Sequence, residues 1–225
     1  MTIIYHDEMI QGSDEWIAAR CGMLTASEIH LIITPTLKVA ENGNKRAHFY
    51  ELMAQRITKH VDPRYVSDDM LRGEEDEVFA RDLYGDKYHK VTSCGFVTRD
   101  DWGFRIGYSP DGLVGDDGLI EVKSRRGRFQ IQTIMEDGIP SEYMIQIQTG
   151  MLVTGRDWCD FVSYSGGIPM LRHRVWRIDN YQDAILSASR KFEEDMAVAL
   201  VFYKQRVEER MCIPTIRRER EEMRI

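Results

Sequence analysis

Two short stretches decide how this chain folds: GYSPDGL at residues 107–113 and LIEVKS at residues 119–124. In the second stretch Glu121 and Lys123 alternate with β-branched residues, which is the period of a β-strand. A strand here places the two charged side chains on one face and the apolar side chains on the other. The DDG segment at residues 116–118 supplies turn residues, so the sequence predicts a hairpin.

The predicted hairpin brings Asp111 close to Glu121 and Lys123. Carboxylate oxygens without histidine or thiolate suit Mg²⁺ or Mn²⁺ better than zinc. Such an ion lowers the pKa of a bound water, and a lysine on the same strand face can position that water or, as the neutral amine, deprotonate it. The pattern therefore outlines a phosphodiesterase site. A turn followed by a solvated strand face explains the same residues, so corroboration has to come from other segments.

The size and composition favour a globular protein without a membrane span. A chain of 225 residues with 43% hydrophobic residues can bury a substantial core in one large domain, or in a domain with an extension. Its apolar runs fall short of the roughly 18 residues that a span needs. The first seven residues lack the pattern of a secretion signal, so we expect a cytoplasmic protein.

The cysteines and the net charge restrict the chemistry further. The four cysteines, at positions 21, 94, 159 and 212, form no C-x-x-C pair, which predicts reduced thiols rather than a zinc knuckle or disulfide framework. The formal net charge of −7 is unusual for a nucleic-acid enzyme. Any contact with DNA is therefore expected to be local.

The periodicity along the chain predicts a run of helices, then strands, a helix, further strands and a long C-terminal helix. The predicted helices cover residues 13–20, 28–33, 47–58, 73–85, 141–153 and 179–210, and the predicted strands cover 91–99, 102–108, 158–164 and 171–178. Residues 36–46 and 60–67 are predicted to be connections, and the charged tail from residue 213 is predicted to be frayed. This order favours an α/β fold in which helices flank a mixed sheet.

Two polar features on the helices have both a functional and an ordinary interpretation. Arg20 is predicted to lie beside the TASE capping box at residues 25–28, where backbone N–H groups and hydroxyls can bind a phosphate. A surface ion pair of Arg20 is the alternative. The acidic run at residues 74–77 suits the positive end of a helix dipole, although Glu77, its deepest member, could reach a metal ion.

Five motifs in order resemble those of the phage lambda-type alkaline exonucleases, the YqaJ-like viral recombinase group of the restriction-endonuclease-like PD-(D/E)xK nucleases. They are Trp16 with RCGMLTASE at 20–28, Gly73 with Glu77, SPDGL at 109–113, LIEVK at 119–123, and YMIQIQ at 143–148. The resemblance covers roughly residues 11–178, and the C-terminal helix matches by length and position. It implies a single exonuclease domain over residues 1–225, with a restriction-endonuclease-like core and a mixed central β-sheet flanked by helices.

The resemblance implies a Mg²⁺-dependent exonuclease that degrades the 5′-ended strand of linear double-stranded DNA. The products would be 5′ mononucleotides and 3′ single-stranded tails. By resemblance, two Mg²⁺ ions, for which Mn²⁺ can substitute, are bound by Asp111, Glu121, the Val122 carbonyl and Glu77. Lys123 acts on the attacking water. The terminal 5′-phosphate is received by Arg20, Ser27, Ser109 and Gln146, while Met70 and Leu71 form a wedge that parts the duplex.

The resemblance also implies a quaternary structure and partners. A ring-shaped homotrimer around the DNA reconciles the net charge of −7 with DNA binding, because a basic channel can coexist with an acidic outer surface. A single-strand annealing protein is the expected partner in recombination. The chain departs from the family pattern after Lys123, where SRR at residues 124–126 stands in place of a frequent Cys-Pro.

Two other functions compete with this prediction. A restriction-type or CRISPR-associated nuclease of the same superfamily would share the Asp111, Glu121 and Lys123 pattern. The sequence shows no separate DNA-reading module, and it lacks the closely spaced cysteines of the iron–sulfur members. A non-catalytic DNA-end-binding subunit is the third possibility, and the intact carboxylates and lysine speak against it.

Overall fold

Helices and strands follow one another mostly in short runs in a computed structural model that describes residues 2–63 and 67–217. The helices are α1 (Asp14–Arg20), α2 (Gly43–Thr58), α3 (Asp68–Lys87), α4 (Gly127–Glu136), α5 (Ser141–Thr154) and α6 (Asp179–Glu209), with a 3₁₀ turn at Ile29–Leu31. The strands are β1 (Ile3–His6), β2 (Leu24–Thr25), β3 (Val91–Thr92), β4 (Phe96–Arg99), β5 (Ile106–Tyr108), β6 (Gly112–Val114), β7 (Gly118–Ser124), β8 (Trp158–Ser165) and β9 (Ile168–Trp176).

Within the described residues the strands form two mixed sheets. The first has the order β1-β4-β5-β2, with β5 and β2 parallel, and the second has the order β3-β6-β7-β8-β9, with β7 and β8 parallel. The remaining neighbours are antiparallel. The predicted α/β class, with mixed sheet structure flanked by helices, is confirmed, although the strands divide between two sheets.

The hairpin predicted from the sequence is the centre of the second sheet. Strands β6 and β7 pair antiparallel, with Gly112 opposite Ile120 and Val114 opposite Gly118. On one face of β7, Leu119 packs in a cluster with residues of α5 and β8. On the other face, Ile120 packs in a cluster with residues of α3. Strand β7 is therefore covered on both faces, as a strand with a parallel neighbour usually is.

Helix α3 starts earlier and ends later than predicted. Ser67 caps it by accepting a hydrogen bond from the Met70 N–H, and the helix continues through Gly73 and Gly85. Each internal glycine costs about 1 kcal/mol relative to alanine, and burial of Tyr84 helps to offset that cost. The helix-dipole explanation of residues 74–77 is wrong, because these residues lie in mid-helix.

Other predicted elements are shorter, longer or divided. The strand predicted at residues 91–99 divides between the two sheets, and β5 covers only the end of residues 102–108. The helix predicted at 28–33 is the 3₁₀ turn, whereas α2 already begins at Gly43, capped by Asn42. Strand β1 and helix α4 were not predicted. Parts of the predicted connection at 60–67 and of the charged tail lie outside the described residues.

Candidate active site

Strand β7 and the turn before β6 hold the carboxylates that the sequence singled out. Asp111 Oδ2 accepts a hydrogen bond from the Val122 backbone N–H at 2.6 Å, so the turn is tied to the middle of β7. Glu121 is only 1% exposed and is not a solvated surface residue. Its Oε1 accepts from Lys123 Nζ at 2.7 Å, and its Oε2 accepts from the Tyr108 hydroxyl at 3.0 Å.

The same region concentrates negative charge. Burial raises the pKa of Asp111 well above its ordinary value, and the nearby carboxylates of Glu121 and Glu77 raise it further. Burial also raises the pKa of Glu77, against the influence of Arg81. For Lys123, burial alone would lower the pKa, but the carboxylates of Glu121 and Asp111 outweigh burial and raise it. The site therefore favours bound cations.

Sequence reasoning missed two residues that organise this site. Tyr108 is buried and donates to Glu121, yet it looks like an ordinary core aromatic in the sequence. Arg81 forms an ion pair with Glu77 at 3.5 Å and donates to the Asp111 backbone carbonyl at 3.3 Å. Its position four residues after Glu77 was the available signal, because such pairs face each other on a helix.

A cavity of about 210 Å³ lies beside the carboxylates, and its lining includes the four residues predicted to receive a phosphate. The lining residues are Gln11, Trp16, Arg20, Thr25, Ala26, Ser27, Tyr108, Ser109 and Gln146. Arg20 donates to the hydroxyl of Ser109 at 3.3 Å and to that of Thr25 at 3.5 Å. The Trp16 indole N–H also donates to Ser109, at 2.9 Å. Trp16 and Thr25 were not predicted as site residues.

Gln146 connects this cavity with the carboxylates. It projects from α5, and its amide Nε2 donates to Glu121 Oε1. Ser109 and Asp111 provide a second connection, because they lie two residues apart in the short segment between β5 and β6. The four cavity residues and the carboxylate–lysine group are thus neighbours in the folded chain.

A larger cavity of about 1260 Å³ adjoins the site. Its lining includes Glu77, Arg81 and Met70. Met70 and Leu71 belong to the first turn of α3 rather than to a preceding loop, and both side chains are 49% exposed. Met70 faces the cavity that also contains Glu77, whereas Leu71 does not line it.

The donor chemistry fits a hard divalent cation. Within residues 2–63 and 67–217, no group of three or more histidine, cysteine or acidic side chains is gathered as a ready-made metal cluster. Asp111 and Glu121 nevertheless offer carboxylate oxygens in a buried, negatively charged region that Glu77 also influences. Oxygen ligands of this kind suit Mg²⁺, which retains several waters and needs few protein ligands.

Solved structures of exonucleases share this architecture. The crystal structure of an alkaline exonuclease (LHK-Exo) from Laribacter hongkongensis is 32% identical, with a TM-score of 0.78 over 88% of this chain and 99% of that chain. LHK-Exo in complex with dAMP gives 33% identity and a TM-score of 0.79 over the same shares. A phage related exonuclease from Haemophilus somnus 129PT, at 16% identity and a TM-score of 0.55, covers 79% and 96% and shares the fold alone. No curated protein gives a significant match.

The fold and the family match define a DNA exonuclease with mixed sheets flanked by helices. Residues 15–157 match the model of the YqaJ-like viral recombinase domain. The chain belongs to this YqaJ-like viral recombinase family, and the resemblance noted in the sequence is confirmed. The helices of the described residues are too short or too polar to cross a membrane.

Proposed function

We propose that this chain is a single-domain, Mg²⁺-dependent 5′→3′ exodeoxyribonuclease. It degrades the 5′-ended strand of linear double-stranded DNA to 5′ mononucleotides and leaves 3′ single-stranded tails for recombination by single-strand annealing. The observation that carries this proposal is the position of the Arg20 cavity, which shares Gln146 with the carboxylate site. A phosphate-binding cavity next to the reacting bond selects the end of a strand over its interior.

The proposed 5′→3′ polarity rests on the family resemblance, and the cavity supplies the chemistry for a terminal phosphate. Arg20 and the hydroxyls of Ser27 and Ser109 are suited to a terminal phosphate, because a guanidinium and hydroxyls can donate several hydrogen bonds to its oxygens. A terminal 5′-phosphate held there places the first phosphodiester bond of the 5′-ended strand beside Asp111 and Glu121. A 5′-hydroxyl end lacks the anion and is expected to react more slowly.

The carboxylates supply the metal site of the proposed reaction. Asp111, Glu121 and the Val122 carbonyl would hold one Mg²⁺, and Glu77 would contribute to a second, with Mn²⁺ as a substitute. When bound, the ions lower the pKa of a water molecule and stabilise the charge of the in-line displacement. Lys123, held 2.7 Å from Glu121 as an ammonium, positions the attacking water. Tyr108 orients Glu121 from the opposite side.

The proposed assembly is a homotrimer that encircles linear double-stranded DNA and acts with a single-strand annealing protein in the cytoplasm. Family membership supports this assembly, and a ring reconciles DNA binding with the net charge of −7. The complex of LHK-Exo with dAMP supports the proposed product class, because dAMP is a mononucleotide. Met70, which lines the larger cavity, and the neighbouring Leu71 are proposed to part the strands.

Digestion of linear duplex DNA with Mg²⁺ tests the reaction. Each strand is labelled at either terminus, and ends with a 5′-phosphate are compared with 5′-hydroxyl ends. We expect loss of the 5′-ended strand, a faster reaction with the phosphate, and no reaction with Lys123→Ala or after chelation of the metal. Cleavage of covalently closed circles would instead indicate an endonuclease. Absence of cleavage under all of these conditions would favour a DNA-end-binding subunit.

A further inference from the structure

Helix α1, which carries Arg20, has little packing of its own. It is seven residues long, and every one of these described residues remains at least partly exposed. Helices of this length are not stable without tertiary contacts. The position of Arg20 at the last turn of α1 must therefore be fixed by contacts with the rest of the chain, which are the Trp16–Ser109 hydrogen bond and the contacts at the C-terminal end of the helix.

The C-terminal end of α1 is held by two neighbouring side chains of α2. The turn after Arg20 contains Gly22, whose N–H donates to Gln55 Oε1 at 2.7 Å. The Gly22 carbonyl accepts from Arg56 Nε at 2.7 Å. The N–H and the carbonyl of Gly22 are thus bound by consecutive residues of α2. The turn is joined to Arg20 by a hydrogen bond from the Met23 N–H to the Arg20 carbonyl at 3.0 Å.

Arg56 is itself fixed by the long C-terminal helix. Its two terminal nitrogens donate to the two carboxylate oxygens of Glu193 on α6, at 2.7 and 2.6 Å. A bidentate pair of this kind holds the guanidinium in one orientation. Gly22 has a φ of +70°, and a Cβ there would lie 2.6 Å from Arg56 Cγ. The turn and the arginine therefore interlock closely enough that only glycine fits without displacement.

We propose that Gln55, Arg56 and Glu193 are positioning residues that set the preference of the enzyme for 5′-phosphorylated ends. This inference rests on the proposed function of the Arg20 cavity as the phosphate site. None of the three belongs to the lining of that cavity, all of whose residues lie in the described chain. They act through the Gly22 turn, which holds α1 so that Arg20 faces Ser109 and Thr25.

The test compares Arg56→Gln and Glu193→Gln with a matched control, Asp195→Asn. Asp195→Asn removes one negative charge from α6, as Glu193→Gln does. The ion-pair partner of Asp195, however, is the exposed Lys191. For each variant, the rate on 5′-phosphorylated duplex is divided by the rate on 5′-hydroxyl duplex. We expect Arg56→Gln to lower this ratio by roughly 10- to 100-fold, the loss that a displacement of about 1 Å causes in a positioned site. The rate on 5′-hydroxyl ends should stay close to that of the wild type.

Hydrogen exchange of the peptide covering residues 14–23 provides a second measurement that is independent of activity. Arg56→Gln should accelerate exchange there, while Asp195→Asn should not. Equal loss of both rates, or unchanged exchange in residues 14–23, would overturn the positioning role. If the wild type does not discriminate between the two ends, the proposed phosphate site fails. The exchange measurement then still decides whether Arg56 and Glu193 hold α1.

Discussion

Replacement of Asp160 by asparagine is expected to destabilise the protein by about 3 kcal/mol, because Asp160 joins α3 to the second sheet. Asp160 is fully buried on β8 and accepts hydrogen bonds from Tyr84 at 2.7 Å, Arg174 at 2.8 and 2.9 Å, and Arg172 at 3.1 Å. Removal of one partner from a buried ion pair costs about 3–5 kcal/mol. The lower limit of this range applies because the side chains of Arg172 and Arg174 are partly exposed to water.

The assay is urea denaturation followed by circular dichroism, together with a thermal scan. For a chain of this length, about 3 kcal/mol lowers Tm by roughly 6–12 °C. Asp157→Asn is the control, because Asp157 is 63% exposed and lies 3.7 Å from Arg177, so its loss should cost less than about 1 kcal/mol. A loss below about 1 kcal/mol for Asp160→Asn as well would refute the argument that this buried group stabilises the fold.

The pH dependence of this effect has a definite sign. Burial by itself would raise the pKa of Asp160, but hydrogen bonds from Arg174 and Tyr84 outweigh burial and lower it. A lowered pKa means that the folded state favours the ionised carboxylate, so the stabilisation is present above the ordinary carboxyl pKa. It is lost as the pH falls through the folded-state pKa. The difference between the wild type and Asp160→Asn should therefore be full at neutral pH and should shrink in acid.

Three further predictions concern the site. Tyr108→Phe removes a hydrogen-bond donor to buried Glu121 and should lower kcat/KM by roughly 10- to 100-fold. This factor corresponds to about 1.5–3 kcal/mol for a hydrogen bond to a charged group. An unchanged rate would contradict the role of Tyr108. Asp111→Asn should abolish cleavage yet raise the Tm of chelator-treated protein at neutral pH. Burial, then the charges of Glu121 and Glu77, raise the Asp111 pKa, so the ionised carboxylate destabilises the folded state and its removal is stabilising. A lower Tm would contradict this electrostatic explanation. Met70→Ala should slow digestion of duplex DNA and spare single strands, and equal loss on both would exclude a wedge.

The hairpin could be predicted because its determinants are local. A turn segment at residues 116–118 and the alternation around Glu121 and Lys123 require no information from distant parts of the chain. The boundaries of α3 could not be predicted in the same way. Gly73 and Gly85 look like helix ends, but burial of Tyr84 and its bond to β8 extend the helix through both.

The division of residues 91–99 between two sheets depends on distant contacts. Gly95 lies between the two strands, and a Cβ there would be 1.7 Å from the Met9 carbonyl oxygen. The close approach of the N-terminal segment therefore needs glycine at the point where the chain leaves one sheet for the other. Local alternation of residue types carries no information about which strand will be the neighbour.

The candidate site was predicted in two different ways. Residue chemistry alone grouped Asp111, Glu121 and Lys123, whereas it left Arg20 open between a phosphate site and a surface ion pair. The cavity residues Ser27, Ser109 and Gln146 followed from family resemblance, because they come from separate elements that only the folded chain brings together. Tyr108 escaped notice because a buried tyrosine in a strand usually belongs to the core.

The side chain of Gln146 is part of both the carboxylate site and the Arg20 cavity. It donates to Glu121, and the same side chain lines the cavity that contains Arg20 and Ser109. A substitution at this position therefore changes the polarity of the cavity and the environment of the carboxylate in a single step. The two properties therefore cannot change independently through substitutions at residue 146. Evolution of the cavity without disturbance of Glu121 has to proceed through other lining residues, such as Ser27.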